Sequence, residues 1–121
     1  FPELRSDALL IEPDRLMVNV VRGLRPQRMA VLVPLPSQIE AAAEKWRAVE
    51  AEMVFEAASP YEDEVKIMQA AAALRGPSLE LVAMDCMGYT RTHKRLVMQV
   101  TGSPVVLASS VVARIVRELM E

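Results

Sequence analysis

The chain has 121 residues, a length that fits one domain with a sizeable hydrophobic core. Hydrophobic residues make up 52% and charged residues 25%, as in soluble globular domains, while only 4% are aromatic, so the core must be largely aliphatic. The net charge of −2, with acids and bases interspersed, argues against a general attraction to nucleic acid or to an anionic membrane. No apolar run approaches the roughly 20 residues that span a bilayer.

The single cysteine excludes an internal disulfide and a multi-cysteine zinc site, and it suggests a reducing, cytoplasmic location. The chain begins at Phe1, with neither an initiator methionine nor a signal-like segment. We therefore expect residues 1–121 to form a single domain cut from a longer protein.

Apolar runs of β-favouring residues recur along the chain and predict strands. They begin near Arg28, Met53, Leu79 and Pro104, about 25 residues apart, which is the length of a strand, a helix and two short loops. A short run at residues 8–11 is a candidate fifth strand. The central runs are almost entirely apolar, as in a parallel sheet covered on both faces. The pattern predicts an α/β fold: a doubly wound, mostly parallel sheet of four or five strands with helices on both faces.

Five helices are predicted around these strands. Their starting signals are Asp14, the capping-box sequence at 37–40, the similar sequence at 59–62, Thr90 or Thr92, and Ser109 or Ser110. Glycine, alone or with proline, is expected to end three of them, at Gly23, at 76–77 and at 102–104. The side chains expected to face the core are Met17, Val20, Val21, Leu24, Ile39, Ala42, Ala43, Trp46, Val49, Val65, Met68, Ala72, Leu96, Val97, Val100, Val112, Ile115, Val116 and Leu119.

The loops after the strands should meet at the carboxyl edge of the sheet, where open α/β sheets bind ligands. Helix N-termini at that edge favour an anion, because their backbone N–H groups and dipoles point toward it. The candidate ligand-binding residues in these loops are Glu12, Ser37, Asp85, Gly88, Thr90, Arg91, Ser109 and Ser110. The alternative is that the serine hydroxyls only cap their helices, which contributes about 1 kcal/mol without any ligand.

Cys86 is the strongest candidate for chemistry. It ends a mostly apolar run, precedes Gly88, which permits close approach of backbone, and lies just ahead of a helix start, where a thiolate is favoured. The alternative is that Cys86 is a small buried hydrophobic residue. His93, the only histidine, lies nearby in the sequence and is the second catalytic candidate.

Cationic residues crowd the start of the same predicted helix. Arg91, Lys94 and Arg95 lie where the helix dipole disfavours positive charge, by about 0.3–1 kcal/mol each. A bound carboxylate or phosphate would offset this cost, whereas a solvated helix face is the alternative. The sequence contains no spacing typical of a metal site and no phosphate-binding glycine loop, so we expect neither a metal nor a cofactor.

Several segments resemble, in the same order, the C-terminal half of the AroM family. They are residues 11–16, 31–34, Lys45-Trp46, 85–89, His93, and the stretch that begins with 104–107 and ends with 113–114. The similarity covers nearly the whole chain. The AroM family is in turn similar to the aspartate/glutamate/hydantoin racemase superfamily, whose members use two α/β lobes, one cysteine from each lobe, and no cofactor.

The resemblance implies a role for Cys86 as the cysteine of the second lobe, with the first lobe preceding Phe1. Inversion at carbon needs a base on one face and an acid on the other, and two thiols could exchange these roles. The resemblance therefore implies racemase-like or isomerase-like chemistry on a small carboxylate, and a chain that is inactive alone because it has one thiol. In the racemases threonine follows this cysteine directly, whereas here Met87 does.

Two alternatives remain open. The chain could be a non-catalytic domain that binds a small anion or has a regulatory role. It could also be a structural half that is needed only for packing against the other lobe or within a dimer. The expected partners are accordingly a small carboxylate or other anion, the first lobe of the same protein and, for the last alternative, a second copy in a homodimer. Neither nucleic acid nor a membrane is expected as a partner.

Overall fold

The computed structural model describes residues 5–6 and 9–120, with side chains from Leu10 to Met120. The elements are β1 (Arg5–Ser6), β2 (Leu9–Leu10), α1 (Pro13–Leu24), β3 (Arg28–Val33), α2 (Ile39–Trp46), β4 (Glu52–Ala57), α3 (Glu64–Leu74), β5 (Leu81–Met84), α4 (Arg91–Thr101), β6 (Val105–Leu107) and α5 (Ala108–Met120). A 3-10 turn at Pro36–Gln38 precedes α2. None of the helices in the described part of the chain is long and apolar enough to cross a membrane.

The main sheet has four parallel strands in the order β4-β3-β5-β6, which confirms the predicted α/β class. The expected fifth strand is not part of it. Leu9–Leu10 instead pairs antiparallel with Arg5–Ser6 in a separate two-stranded ribbon, and Ala8 lies outside the described residues.

Helices cover both faces of the sheet. Along β3, Ala30 and Leu32 pack toward α3 and α4, whereas Met29, Val31 and Val33 pack toward α1 and α2. Because both faces of the strand are buried, its sequence is continuously apolar and does not alternate.

Strands are added to the sheet in two directions from the boundary between β3 and β5. Strand β4 lies on the far side of β3, and β6 lies on the far side of β5. The helix after β3, α2, lies on one face, and the helix after β5, α4, lies on the other. Neighbouring parallel strands whose connections leave on opposite faces open a crevice at their carboxyl ends. Residues 34–38 and 85–90 therefore flank the position where a doubly wound sheet binds its ligands.

Three helix starts differ from the prediction. Helix α1 begins at Pro13, with Glu12 in the N-cap position and no side-chain cap. Ser37 lies within the 3-10 turn and does not cap α2; there the side chain of Gln38 accepts the Leu35 N–H at 3.1 Å. Helix α5 follows β6 without a loop, so Ser109 is already inside the helix.

The start of α3 also differs. Asp63 caps it by accepting the Val65 N–H at 2.9 Å. Ser59 accepts the Tyr61 N–H at 3.1 Å in the turn before the helix. Of the two predicted caps of α4, Thr90 and Thr92, Thr90 is the one that caps the helix.

One predicted helix end is confirmed and two are displaced. Gly102 ends α4 in a left-handed conformation with φ 71°, as expected. Helix α1 continues past Gly23 to Leu24, and Arg25 takes the left-handed conformation there with φ 55°. Helix α3 ends at Leu74, before Gly76.

Five positions predicted to face the core are exposed: Leu24, Ala43, Val65, Ala72 and Leu119. In α3 the buried face consists of Ile67, Ala70, Ala71 and Leu74. Apolar residues lie around much of α3, so its sequence alone does not show which side of the helix is buried.

Candidate anion-binding site

Cys86 lies in a tight turn after β5. Its Sγ atom accepts the N–H of Gly88 at 3.3 Å, and its carbonyl oxygen accepts the N–H of Tyr89 at 3.3 Å. The side chain is half-buried and packs against the core between the sheet and helices α3 and α4. These two hydrogen bonds fix the sulfur relative to the backbone that leads into α4.

Asp85, the preceding residue, points toward the opposite face of the sheet. Its carboxylate lies 2.8 Å from the Nζ atom of Lys45 through Oδ1 and 2.8 Å from the Nε1 atom of Trp46 through Oδ2. The side chain of Asp85 is only 6% exposed. Lys45 also approaches Asp14, with 3.1 Å between Nζ and Oδ1. Asp85, predicted as a ligand-binding residue, therefore has both carboxylate oxygens engaged within the protein.

Tyr89 closes the turn on its other side. Its hydroxyl donates to the carbonyl oxygen of Ala58 at 2.7 Å, and its ring is 1% exposed. Burial first, and then the negative charges of Cys86 and Asp85, raise the pKa of Tyr89 above its usual value. Tyr89 is thus a neutral hydrogen-bond donor that holds the turn against the loop after β4.

His93 has a capping task. Its Nδ1 atom accepts the N–H of Thr90 at 3.0 Å, while its own N–H donates to the Thr90 hydroxyl oxygen at 3.3 Å. Because Nδ1 acts as an acceptor, the proton of the neutral ring lies on Nε2. The ring is 6% exposed and meets Tyr89 edge-on, with 6.0 Å between centroids. The catalytic role expected of His93 stays a prediction.

A groove lined with cations lies between α4 and α5, beside this turn. It consists of two adjoining depressions, of about 330 and about 240 Å³, which share Arg91, Ser110 and Arg114. The other lining residues are Ser109, Ala113 and Arg117 in the first depression and Lys94, Arg95 and Met98 in the second. We call this surface the α4–α5 groove. The Ser109 hydroxyl donates to the Tyr89 carbonyl oxygen at 3.4 Å, which joins the groove to the turn of Cys86.

The positive charges of the groove are not neutralised by the described residues around them. Five of the lining side chains are cationic, and no carboxylate lines either depression. Within residues 10–120, none of these five side chains forms an ion pair with a carboxylate. The chain as a whole has a net charge of −2, so this concentration of positive charge is local.

The structure brings some of the predicted site residues together and separates others. Arg91, Ser109 and Ser110 line one depression. Glu12 lies at the start of α1, where it pairs with Arg15 at 3.9 Å, and Ser37 is exposed in the 3-10 turn. Neither Glu12 nor Ser37 lines the α4–α5 groove.

Because Gly88 has no side chain, another residue of the protein lies close to its backbone. A Cβ atom at this position would lie 2.6 Å from the hydroxyl oxygen of Tyr61, whose side chain is 84% exposed. Gly88 therefore lets the ring of Tyr61 lie against the turn of Cys86. Its predicted role in ligand binding stays a prediction.

Two cationic residues of the site, Arg114 and Arg117, were not predicted, whereas Lys94 and Arg95 were noted as cations that a bound anion would compensate. Arg114 and Arg117 follow Ser110 at helical spacings of four and seven residues. This spacing is the sequence signal that could have identified them. Lys45 was noted only for its part in the family resemblance.

Cys86 lines neither depression of the groove nor either of two further cavities. One of these, of about 460 Å³, is at the amino edge of the sheet and is lined partly by Met53, Val54 and Leu74. A smaller depression of about 280 Å³ includes Asp85 and Lys45, on the α2 side of the crevice. Among the described residues, no group of three or more His, Cys, Asp or Glu could hold a metal ion.

Comparison with known proteins gives one match. The family model described as AroM protein matches residues 1–120 of this chain. Neither the search of curated proteins nor the search of solved structures found a match.

Proposed function

The chain belongs to the AroM family, and we propose that it binds a small carboxylate in the α4–α5 groove and presents Cys86 to it as an acid–base group, in the manner of the cofactor-independent racemases. The observation that carries this proposal is the depression that gathers Arg91, Ser109 and Ser110 with two further arginines and no carboxylate. Cys86 itself lines neither depression; the hydrogen bond from Ser109 to the Tyr89 carbonyl oxygen links the groove only to the turn that holds it.

Two kinds of group in the first depression suit a carboxylate. The guanidinium groups of Arg91 and Arg114 can donate two parallel N–H bonds to its oxygens, and such charge-assisted bonds are stronger than neutral ones. The hydroxyl of Ser110 lies in the first turn of α5, whose first backbone N–H groups have no partner within the helix and add further donors. The hydroxyl of Ser109 already donates to the Tyr89 carbonyl oxygen, so Ser109 offers its backbone N–H.

Cys86 would act on the carbon next to that carboxylate. A thiolate at Cys86 takes the proton, an S–H bond forms, and the electron pair of the broken C–H bond spreads into the carboxylate, where the guanidinium groups stabilise it. Inversion needs a second group that returns a proton to the opposite face. The chain has one thiol, so we expect it to show no racemisation by itself.

Alkylation of Cys86 with a charged and an uncharged reagent tests whether the thiol and the anion site are adjacent. Iodoacetate carries a carboxylate, and iodoacetamide is its neutral analogue. We expect the ratio of the iodoacetate rate to the iodoacetamide rate to exceed the ratio for a cysteine in an uncharged model peptide, because the groove attracts the anion. Arg91→Gln should lower the iodoacetate rate about threefold, the effect of one exposed charge, and leave the iodoacetamide rate unchanged.

Arg75→Gln is the matched control, because Arg75 is exposed just after α3 and lines neither depression. It should change neither rate. A rate ratio equal to that of the model peptide, and unaffected by Arg91→Gln, would contradict the proposal.

A second candidate is a non-catalytic domain that binds a small anion. It is favoured by the engagement of two potential acid–base groups in structural hydrogen bonds: Asp85 with Lys45 and Trp46, and His93 with Thr90. Exchange in D₂O separates the two candidates. The chain is incubated with a panel of α-amino acids and 2-hydroxy acids. If Cys86 acts as an acid–base group, the α-hydrogen of a substrate should exchange with deuterium without inversion of the carbon, and Cys86→Ser should abolish this exchange. A domain that only binds the anion gives no exchange.

A further inference from the structure

The α4–α5 groove carries more positive charge than one carboxylate can balance. Arg91 and Arg114 border both depressions, Arg117 borders the first, and Lys94 and Arg95 border the second. A carboxylate has a single negative charge and two oxygens, which one or two guanidinium groups satisfy. Binding of a simple carboxylate in the first depression by Arg91 and Arg114 would therefore leave Lys94 and Arg95 of the second depression without a bound anion.

The groove is also longer than one carboxylate. On α4 its lining extends from Arg91 to Met98, and on α5 from Ser109 to Arg117. Each stretch rises about 10 Å along its helix. If the first anionic group of a ligand lies beside Ser109 and Ser110, the rest of the ligand can therefore extend along the groove toward the cationic side chain of Lys94.

The chemistry of the second depression favours a phosphoryl group over another carboxylate. Four of its six lining residues are cations, namely Arg91, Lys94, Arg95 and Arg114. A phosphate monoester has a charge of about −1.5 to −2 at neutral pH and three strong acceptor oxygens, which matches several cations at once. Arg91, the first residue of α4, adds a cation where the helix dipole makes positive charge without a bound anion unfavourable.

We propose that the ligand of the α4–α5 groove is a phosphorylated carboxylate, with its carboxylate beside Arg91, Ser109 and Ser110 and its phosphoryl group beside Lys94 and Arg95. The carboxylate end rests on the function proposed above. The phosphoryl subsite rests on the second depression alone.

A set of four small anions tests the proposal by NMR titration of backbone amides at constant ionic strength. Glycolate carries only the carboxylate, methyl phosphate only the phosphoryl group, phosphoglycolate both, and glutarate two carboxylates. We expect phosphoglycolate to bind about tenfold more tightly than glycolate or methyl phosphate, and several-fold more tightly than glutarate. Glycolate should shift the amides of Ser109 and Ser110, and methyl phosphate those of Lys94 and Arg95.

Substitution of Lys94 separates a phosphoryl subsite from a general effect of charge. Lys94→Gln should lower the affinity for phosphoglycolate and methyl phosphate about threefold or more, and change the affinity for glycolate less than twofold. Arg75→Gln, outside the groove, should change none of the four affinities.

The outcomes distinguish this proposal from the one on which its carboxylate end rests. Equal affinities for glutarate and phosphoglycolate, or an equal loss for all ligands in Lys94→Gln, would overturn the phosphoryl subsite. Glycolate binding at Ser109 with no gain for phosphoglycolate would overturn it too, and leave the carboxylate function standing. Methyl phosphate binding at Lys94 without any glycolate binding would uphold the subsite and contradict the carboxylate function.

Discussion

Two charged regions lie near the carboxyl edge of the sheet and differ in how their charges are paired. In the Asp85 cluster, which consists of Asp14, Lys45, Trp46 and Asp85, a nearly buried carboxylate receives hydrogen bonds from a lysine and an indole. In the α4–α5 groove, five cations have no carboxylate among the residues lining it. Charges that satisfy one another hold elements together, whereas cations without partners are available to a ligand. We therefore predict that the Asp85 cluster contributes to stability and that the groove is the surface that binds a ligand.

The largest effect is expected in the Asp85 cluster. Lys45→Met should lower the free energy of unfolding by about 3 kcal/mol, because it leaves the carboxylate of Asp85 buried without its cation. Urea-induced unfolding measures this change. Asp14→Asn is the control: the side chain of Asp14 is 79% exposed, and we expect a cost below about 1 kcal/mol. Equal effects of the two substitutions would contradict the structural role of the cluster.

A smaller effect, with a characteristic pH dependence, is expected at Tyr89. Tyr89→Phe removes the hydrogen bond to Ala58 and should cost about 1 kcal/mol at neutral pH. Burial raises the pKa of Tyr89 in the folded state, so the unfolded chain loses this proton first as the pH rises above about 10. The wild-type stability should then fall by up to about 1.4 kcal/mol per pH unit from this residue alone.

Unfolding curves at several pH values check this prediction. The difference in stability between the wild type and Tyr89→Phe should shrink above about pH 10. Tyr61→Phe serves as the control, since its ring is 84% exposed and it should leave the pH dependence unchanged. A difference that stays constant between pH 8 and pH 11 would show that Tyr89 ionises equally in both states.

The smallest effect, and one of opposite sign, is expected in the groove. Arg91 is the first residue of α4, where the helix dipole disfavours a cation. Arg91→Gln should therefore raise the free energy of unfolding by about 0.3 kcal/mol in the absence of ligand. Chemical denaturation at low ionic strength measures it. A loss of stability above about 1 kcal/mol would mean that Arg91 holds the fold together, as Lys45 does.

The strands could be predicted from the sequence better than the helix starts could. A strand buried on both faces is a continuous apolar run, as residues 28–33 are, and this signal is local. A capping sequence is ambiguous: both Ser59 and Asp63 have the chemistry to cap a helix, and the structure uses Ser59 in a turn and Asp63 as the cap. The packing of the whole chain decides between the two residues, and this information is not present in the sequence of one segment.

The candidate site was partly predictable for a similar reason. Arg91, Ser109 and Ser110 were found because parallel strands deliver their following loops to one edge. Arg114 and Arg117 lie one and two turns into α5, so an argument from loops does not reach them. The contact between Lys45 and Asp85 joins residues that are 40 positions apart, and only the position of α2 against the end of β5 brings them together.

A crystal structure of the chain grown with glycolate tests the central claim most directly. The account predicts the carboxylate of glycolate on the guanidinium group of Arg91, the hydroxyl of Ser110 and the backbone N–H groups of the first turn of α5, with its carbon facing the Sγ atom of Cys86. Glycolate bound to Lys45 in the Asp85 cluster, or bound in the groove with the sulfur of Cys86 turned away beneath aliphatic side chains, would contradict it.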